Sequence, residues 1–117
     1  MTGDELAEFA ALLGERRREL EAAFAAGERR VDAIRAARSD TPADDEHDPE
    51  GSTLTGEWSS AVGLREAARV ELVQIAEAEQ RLDAGTYGVC ERCRRAIPRE
   101  RLRVRPAASR CIVCASS

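Results

Sequence analysis

The 117-residue sequence has no lysine; all 18 of its basic residues are arginine, a bias of the kind GC-rich coding produces. Histidine occurs once, at position 47, and only Phe9, Phe24, Trp58 and Tyr87 carry aromatic rings. With so few large rings and 34% of residues charged, the chain cannot own a thick globular interior and suits a solvated helical pair better. It has no Ser/His/Asp set and no phosphate loop, so the common enzymatic constellations are excluded and a non-enzyme is expected. No run approaches the ~18 apolar residues of a membrane span, and the first residues have no signal-like pattern. A cytoplasmic protein with no membrane partner is therefore expected.

What is present is unevenly distributed. Residues 1–85 hold 10 arginines against 20 acids, a balance of −10, whereas residues 86–117 hold 8 arginines against 2 acids, a balance of +6. The overall charge of −4 argues against a chain that wraps nucleic acid, although the basic end suits phosphate or an acidic protein surface.

From Asp4 to Arg38 the pattern is helical. Leu6, Ala10, Leu13, Leu20, Phe24, Gly27, Val31 and Ile34 recur by threes and fours, a heptad seam that needs a partner helix. At ~1.5 Å per residue such a helix is about 50 Å long, too long to stand alone. Residues 39–53 break the pattern with Pro42, Pro49 and Gly51, and seven acids lie between Asp40 and Glu57 without an arginine. On composition alone this is a solvated turn, and His47 a solvated loop residue.

Helix resumes over residues 54–83 with Leu54, Trp58, Ala61, Ala68, Leu72, Ile75 and Leu82, and Gly85 suits the left-handed residue that ends it. The turn is short, so the second helix returns antiparallel to the first. Pairing positions that sum to about 95 or 96 sets Leu13 by Leu82, Leu20 by Ile75, Phe24 by Leu72, Gly27 by Ala68, Ile34 by Ala61, and Arg38 by Trp58. The same register puts Arg17 opposite Glu79, a polar pair that would hold the seam in step, and leaves Arg65 facing Val31. Trp58 is expected to close the end of the seam.

All four cysteines fall in the last quarter of the chain as two Cys-x-x-Cys pairs, Cys90 with Cys93 and Cys111 with Cys114, separated by 17 residues. Two such knuckles folded face to face give a closed tetrahedron of thiolates, the ligand set of one structural Zn²⁺ with no coordination position open for chemistry. A redox dithiol usually accompanies a βαβ pattern, which is missing; paired disulfides belong to secreted chains; reversible oxidation of a zinc site remains an alternative. Ile97, Leu102 and Val104 are the expected small core of this module. The fold class is thus mainly α: a long antiparallel two-helix coiled-coil hairpin over residues 1–85, with an acidic tip loop at 39–53, then a small four-cysteine zinc finger over residues 86–117.

The run Gly85-Thr86-Tyr87-Gly88, followed by Cys90, Cys93, Ile97, Arg101, Leu102, Pro106 and Cys111-Ile112-Val113-Cys114, resembles the C4 zinc finger of the DksA/TraR family. With the Asp48-Pro49 turn the resemblance spans roughly residues 48–114. It implies a bacterial transcription factor that binds RNA polymerase and not DNA, and inserts its coiled coil into the secondary channel through which nucleotides reach the active site. It also implies that acids at the tip contact the partner, here Asp45, Glu46, Asp48 and Glu50. The family's best-studied tip has two aspartates three residues apart followed by an alanine; from Asp48 this chain offers Gly51 and Thr53 instead. Some relatives help bind the alarmone ppGpp through basic residues on the second helix, but between Glu66 and Gln80 only Arg69 is basic, so that site is not carried over. Where the family has Gly after Cys93, this chain has Arg94, which is expected to be strained at φ > 0.

Two functions compete. One is a monomeric regulator docked on RNA polymerase, with tip carboxylates near the catalytic magnesium. The other is a zinc-ribbon adaptor whose arginines grip another protein or a structured RNA, which steep salt dependence without polymerase binding would reveal.

Overall fold

In the computed structural model the described residues are 1–39 and 49–116, with side chains described outside 49–54. Four helices follow in order: α1 (Gly3–Ser39), α2 (Pro49–Ala84), α3 (Arg99–Val104) and α4 (Ile112–Ala115). Among the described residues the only β pairing is an isolated antiparallel bridge between Val89 and Ala96. No described helix is long and apolar enough to cross a membrane.

A reciprocal pair of hydrogen bonds starts α1. The Thr2 backbone N–H donates to Glu5 Oε1 at 3.0 Å, and the Glu5 N–H donates to Thr2 Oγ1 at 3.2 Å. Each satisfies an amide that the first turn leaves unpaired, as a Thr-x-x-Glu sequence allows. The bond from the Thr2 backbone is also the main cause holding the Glu5 carboxyl below its usual range.

Helix α2 begins at Pro49, five residues before the apolar pattern resumes at Leu54. Proline is suited to a first helical position, where its missing N–H has no intrahelical acceptor to lose. At the other end Gly85 stands at φ 78. Its N–H donates to Leu82 O at 3.3 Å and that of Thr86 to Arg81 O at 2.9 Å. These are the 5→2 and 6→1 bonds of a Schellman motif, so α2 stops where the sequence puts Gly85.

The chain forms two compact units, residues 20–70 and residues 1–19 with 71–117. In the first, α1 and α2 enclose Val31, Ile34 and Ala61, against which Trp58 and Val62 pack. Ile34 and Ala61 share a layer, as the register predicts. Arg65, however, lies at Gly27: a Cβ on Gly27 would sit 3.2 Å from Arg65 Cβ. Glycine leaves room there for the arginine stem, which a layer with Val31 does not offer. Trp58 lies under two cations, with Arg35 Cζ 5.1 Å and Arg38 Cζ 5.9 Å from its ring centroid. Such contacts contribute about 0.5–1 kcal/mol each at a solvated site.

In the second unit the ends of both long helices and the cysteine-bearing segment share one buried set: Phe9, Leu13, Ile75, Ala78, Tyr87, Cys90, Ile97 and Leu102. Fully burying a side chain such as Phe9 or Leu102 stabilises by roughly 2–3 kcal/mol. Phe9 and Tyr87 meet with ring centroids 5.6 Å apart, and Tyr87 Oη donates to Pro106 O at 2.7 Å. Burial pushes the Tyr87 phenol up to about 12. Val104 is not part of this core; it is 81% exposed. Two residues on from Leu102 in a helix is a turn of about 200°, so burying Leu102 sends Val104 to solvent.

Candidate metal centre

Two short turns present the thiols. In the first, Cys90 N–H donates to Arg95 O and Ile97 N–H to Gly88 O, both at 2.8 Å, around the Val89–Ala96 bridge. Arg94 N–H closes the turn on Cys90 O at 3.0 Å, and this forces Arg94 to φ 66. That is the left-handed conformation expected where the family pattern has glycine. Gly88, at φ 84, leaves space that Met1 fills: a Cβ there would collide with Met1 Cε. The second turn opens α4, with Cys111 as its N-cap and Cys114 inside it. Glu91 N–H joins the turns by donating to Ser109 O at 2.9 Å, and Arg110 Nε adds a bond of 2.9 Å to Glu91 Oε1.

This geometry brings Cys90, Cys93, Cys111 and Cys114 together, with all four sulfurs within 4.8 Å of one another. Cys93 Sγ and Cys111 Sγ are 3.9 Å apart. A tetrahedral zinc with bonds of about 2.3 Å has S···S edges of about 3.8 Å, so the donor set fits the ion. Thiols this close resist shared ionisation. Hydrogen bonding to the Cys93 backbone leads in drawing the Cys90 thiol down to about 6, and the Cys114 thiol is pushed up to about 12, chiefly by its bond with the Cys111 side chain. A dication resolves that conflict by stabilising all four thiolates at once, with release of protons on binding. Cys90 and Cys114 are buried, Cys111 is half-buried and Cys93 is exposed.

The module is tied to the start of α1 by contacts that the sequence reading missed. Arg99 on α3 pairs with Glu5, and Arg103 Nε lies 3.1 Å from Glu8 Oε1. The signal was present as acids spaced i, i+3 on one helix and arginines spaced i, i+4 on the other, but nothing in sequence says that those faces meet. Across the hairpin, Arg16 donates from Nε and Nη2 to the two carboxylate oxygens of Glu71, at 2.8 and 3.1 Å. Of the proposed tip residues, Asp45, Glu46 and Asp48 lie outside the described residues, as does the side chain of Glu50.

The described residues define a mainly helical protein that carries a four-cysteine finger. Residues 85–117 match the family model of the prokaryotic dksA/traR C4-type zinc finger. The solved structure of the transcription factor DksA2 from Pseudomonas aeruginosa is similar to this chain, with a TM-score of 0.82 and 26% sequence identity, over 99% of this chain and 84% of that one. No curated protein matches the sequence. Finger and fold together support a transcription factor of the DksA/TraR type, and the clustered cysteines are consistent with one structural zinc ion.

Proposed function

We propose that the chain regulates transcription by binding RNA polymerase rather than DNA, with the hairpin tip at residues 39–53 inserted in the secondary channel. The observation that carries this reading is the likeness to a transcription factor over 99% of the chain, hairpin and finger included. Cys90, Cys93, Cys111 and Cys114 hold the zinc, whose role is to fix the module of residues 86–117. Asp45, Glu46, Asp48 and Glu50 are the partner-contacting acids, and the protein works as a cytoplasmic monomer; no ppGpp site is carried over to its second helix. The chemistry of the tip is electrostatic: carboxylates near the catalytic magnesium compete for its ligands or its approach path.

The test is transcription in vitro from purified components. Asp45→Asn, Glu46→Gln, Asp48→Asn and Glu50→Gln together should leave the hairpin helical and the polymerase bound, while removing the effect on promoter complexes. An unchanged effect would make the tip a mere turn.

A further inference from the structure

Two cations converge on Trp58. Arg35 Cζ lies 5.1 Å and Arg38 Cζ 5.9 Å from its ring centroid, so both guanidinium groups share one indole. They leave α1 three residues apart, on one face of the helix. The ring is half-buried and packs on Val31, Ile34 and Ala61, which fixes its place, while both arginines are exposed. Four other hairpin arginines meet carboxylates: Arg16 meets Glu71, Arg17 meets Glu79, and Arg65 and Arg69 meet Glu66. Among the described residues Arg35 and Arg38 meet none. A guanidinium held over an aromatic face is limited in its orientations, and its N–H edge stays free to grip an oxyanion.

We propose that Arg35 and Arg38, held on Trp58, bind the triphosphate of a magnesium-bound nucleotide. The inference rests on the proposed function, in which this end of the hairpin enters the route that nucleotides take to the active site. Two planar donor forks suit a chain of phosphates, each group of which presents several oxygens to a fork. Seven acids lie between Asp40 and Glu57, so a bare polyanion is repelled there; the magnesium complex, with part of its charge cancelled, is the form admitted. The arginines lie over the indole and the core takes up the rest of it, which leaves no open ring for a base to stack on. The site therefore reads phosphate and not the base.

Trp58 is the only tryptophan, so its emission reports on the site. Zinc-loaded wild type is titrated with Mg·ATP, Mg·UTP, magnesium tripolyphosphate and adenosine, by calorimetry and by Trp58 fluorescence, without polymerase. The two nucleotides and tripolyphosphate should bind within about threefold of one another, change the emission as they saturate, and weaken as salt is raised. Omitting magnesium should weaken each, and adenosine should not bind. Arg35→Gln with Arg38→Gln, its helicity checked by circular dichroism, should lower the affinity about tenfold or more. Binding of tripolyphosphate alone overturns the nucleotide as the ligand. Wild type that binds no triphosphate, or a double variant that binds as well as wild type, overturns the site and leaves the polymerase reading intact. Polymerase affinity lost in the double variant, where wild type binds no triphosphate, makes the pair a protein contact and overturns the choice of ligand. Triphosphate binding by a chain that does not bind polymerase upholds the site and overturns the channel reading.

Discussion

Arg17 on α1 donates from Nη1 to the carboxylate of Glu79 on α2, joining positions 62 apart in the sequence. The antiparallel register sets these two residues opposite each other, and a slip of one heptad would part them, setting Arg17 against Leu72 and Glu79 against Ala10 in one direction, or Glu79 against Phe24 in the other. Their side chains are 39% and 33% exposed, so water screens the pair and its stabilisation is on the order of 0.5–1 kcal/mol. Its larger role is to penalise wrong registers. A double-mutant cycle on Arg17→Ala and Glu79→Ala should give a coupling of about 0.5–1 kcal/mol that shrinks as salt is raised. A coupling near zero leaves register to the turn and the apolar layers.

Replacing Arg94 by glycine should raise stability. At φ 66 a side chain costs on the order of 1 kcal/mol, and among the described residues Arg94 has no carboxylate partner whose loss would offset the gain. Denaturant unfolding of zinc-loaded Arg94→Gly should show an increase of about that size; a decrease would mean that the arginine makes a contact worth more than the strain.

The Tyr87 phenol predicts an alkaline instability. Its pKa is raised by burial from an ordinary value of 10.0 to about 12, so the folded protein holds the proton more tightly than the unfolded chain. The contribution is fully present below pH 10 and is lost as pH climbs towards 12. Stability measured across that window should fall for wild type. Tyr87→Phe should fall less steeply, from a lower start because the bond to Pro106 O is gone.

Much of this was legible in the sequence because it depends on spacing. Two Cys-x-x-Cys pairs fix a four-sulfur cluster, Gly85 marks the end of α2, and apolar positions at threes and fours fix the hairpin and the Ile34–Ala61 layer. What escaped depends on which surfaces meet. Val104 looks like a core residue by type and is exposed by helical phase. Arg65 finds a layer where Gly27 makes room. Glu5 and Glu8 carry no sign of a partner in the sequence and Phe9 lies outside the seam, yet all three meet the finger segment. The resemblance to a family, rather than spacing, suggested the strain at Arg94 and the acids of the tip.

Removing the metal should therefore loosen more than the finger. Arg99 and Arg103 are positioned by a helix that depends on the metal module, and they clamp Glu5 and Glu8. Wild type should carry one zinc per chain. On chelation, hydrogen exchange should accelerate in residues 86–116 and also in residues 3–12, while residues 25–36 keep their protection. Protection of residues 3–12 that survives chelation would show that the first turns of α1 do not lean on the finger.

The central claim, that the chain works inside the polymerase channel, is tested most directly by competition. Labelled, zinc-loaded protein is bound to purified core RNA polymerase and challenged with an established secondary-channel factor. The account predicts saturable binding, one chain per enzyme, displaced by the competitor and indifferent to added DNA. Binding that persists under excess competitor, or no binding at all, contradicts it.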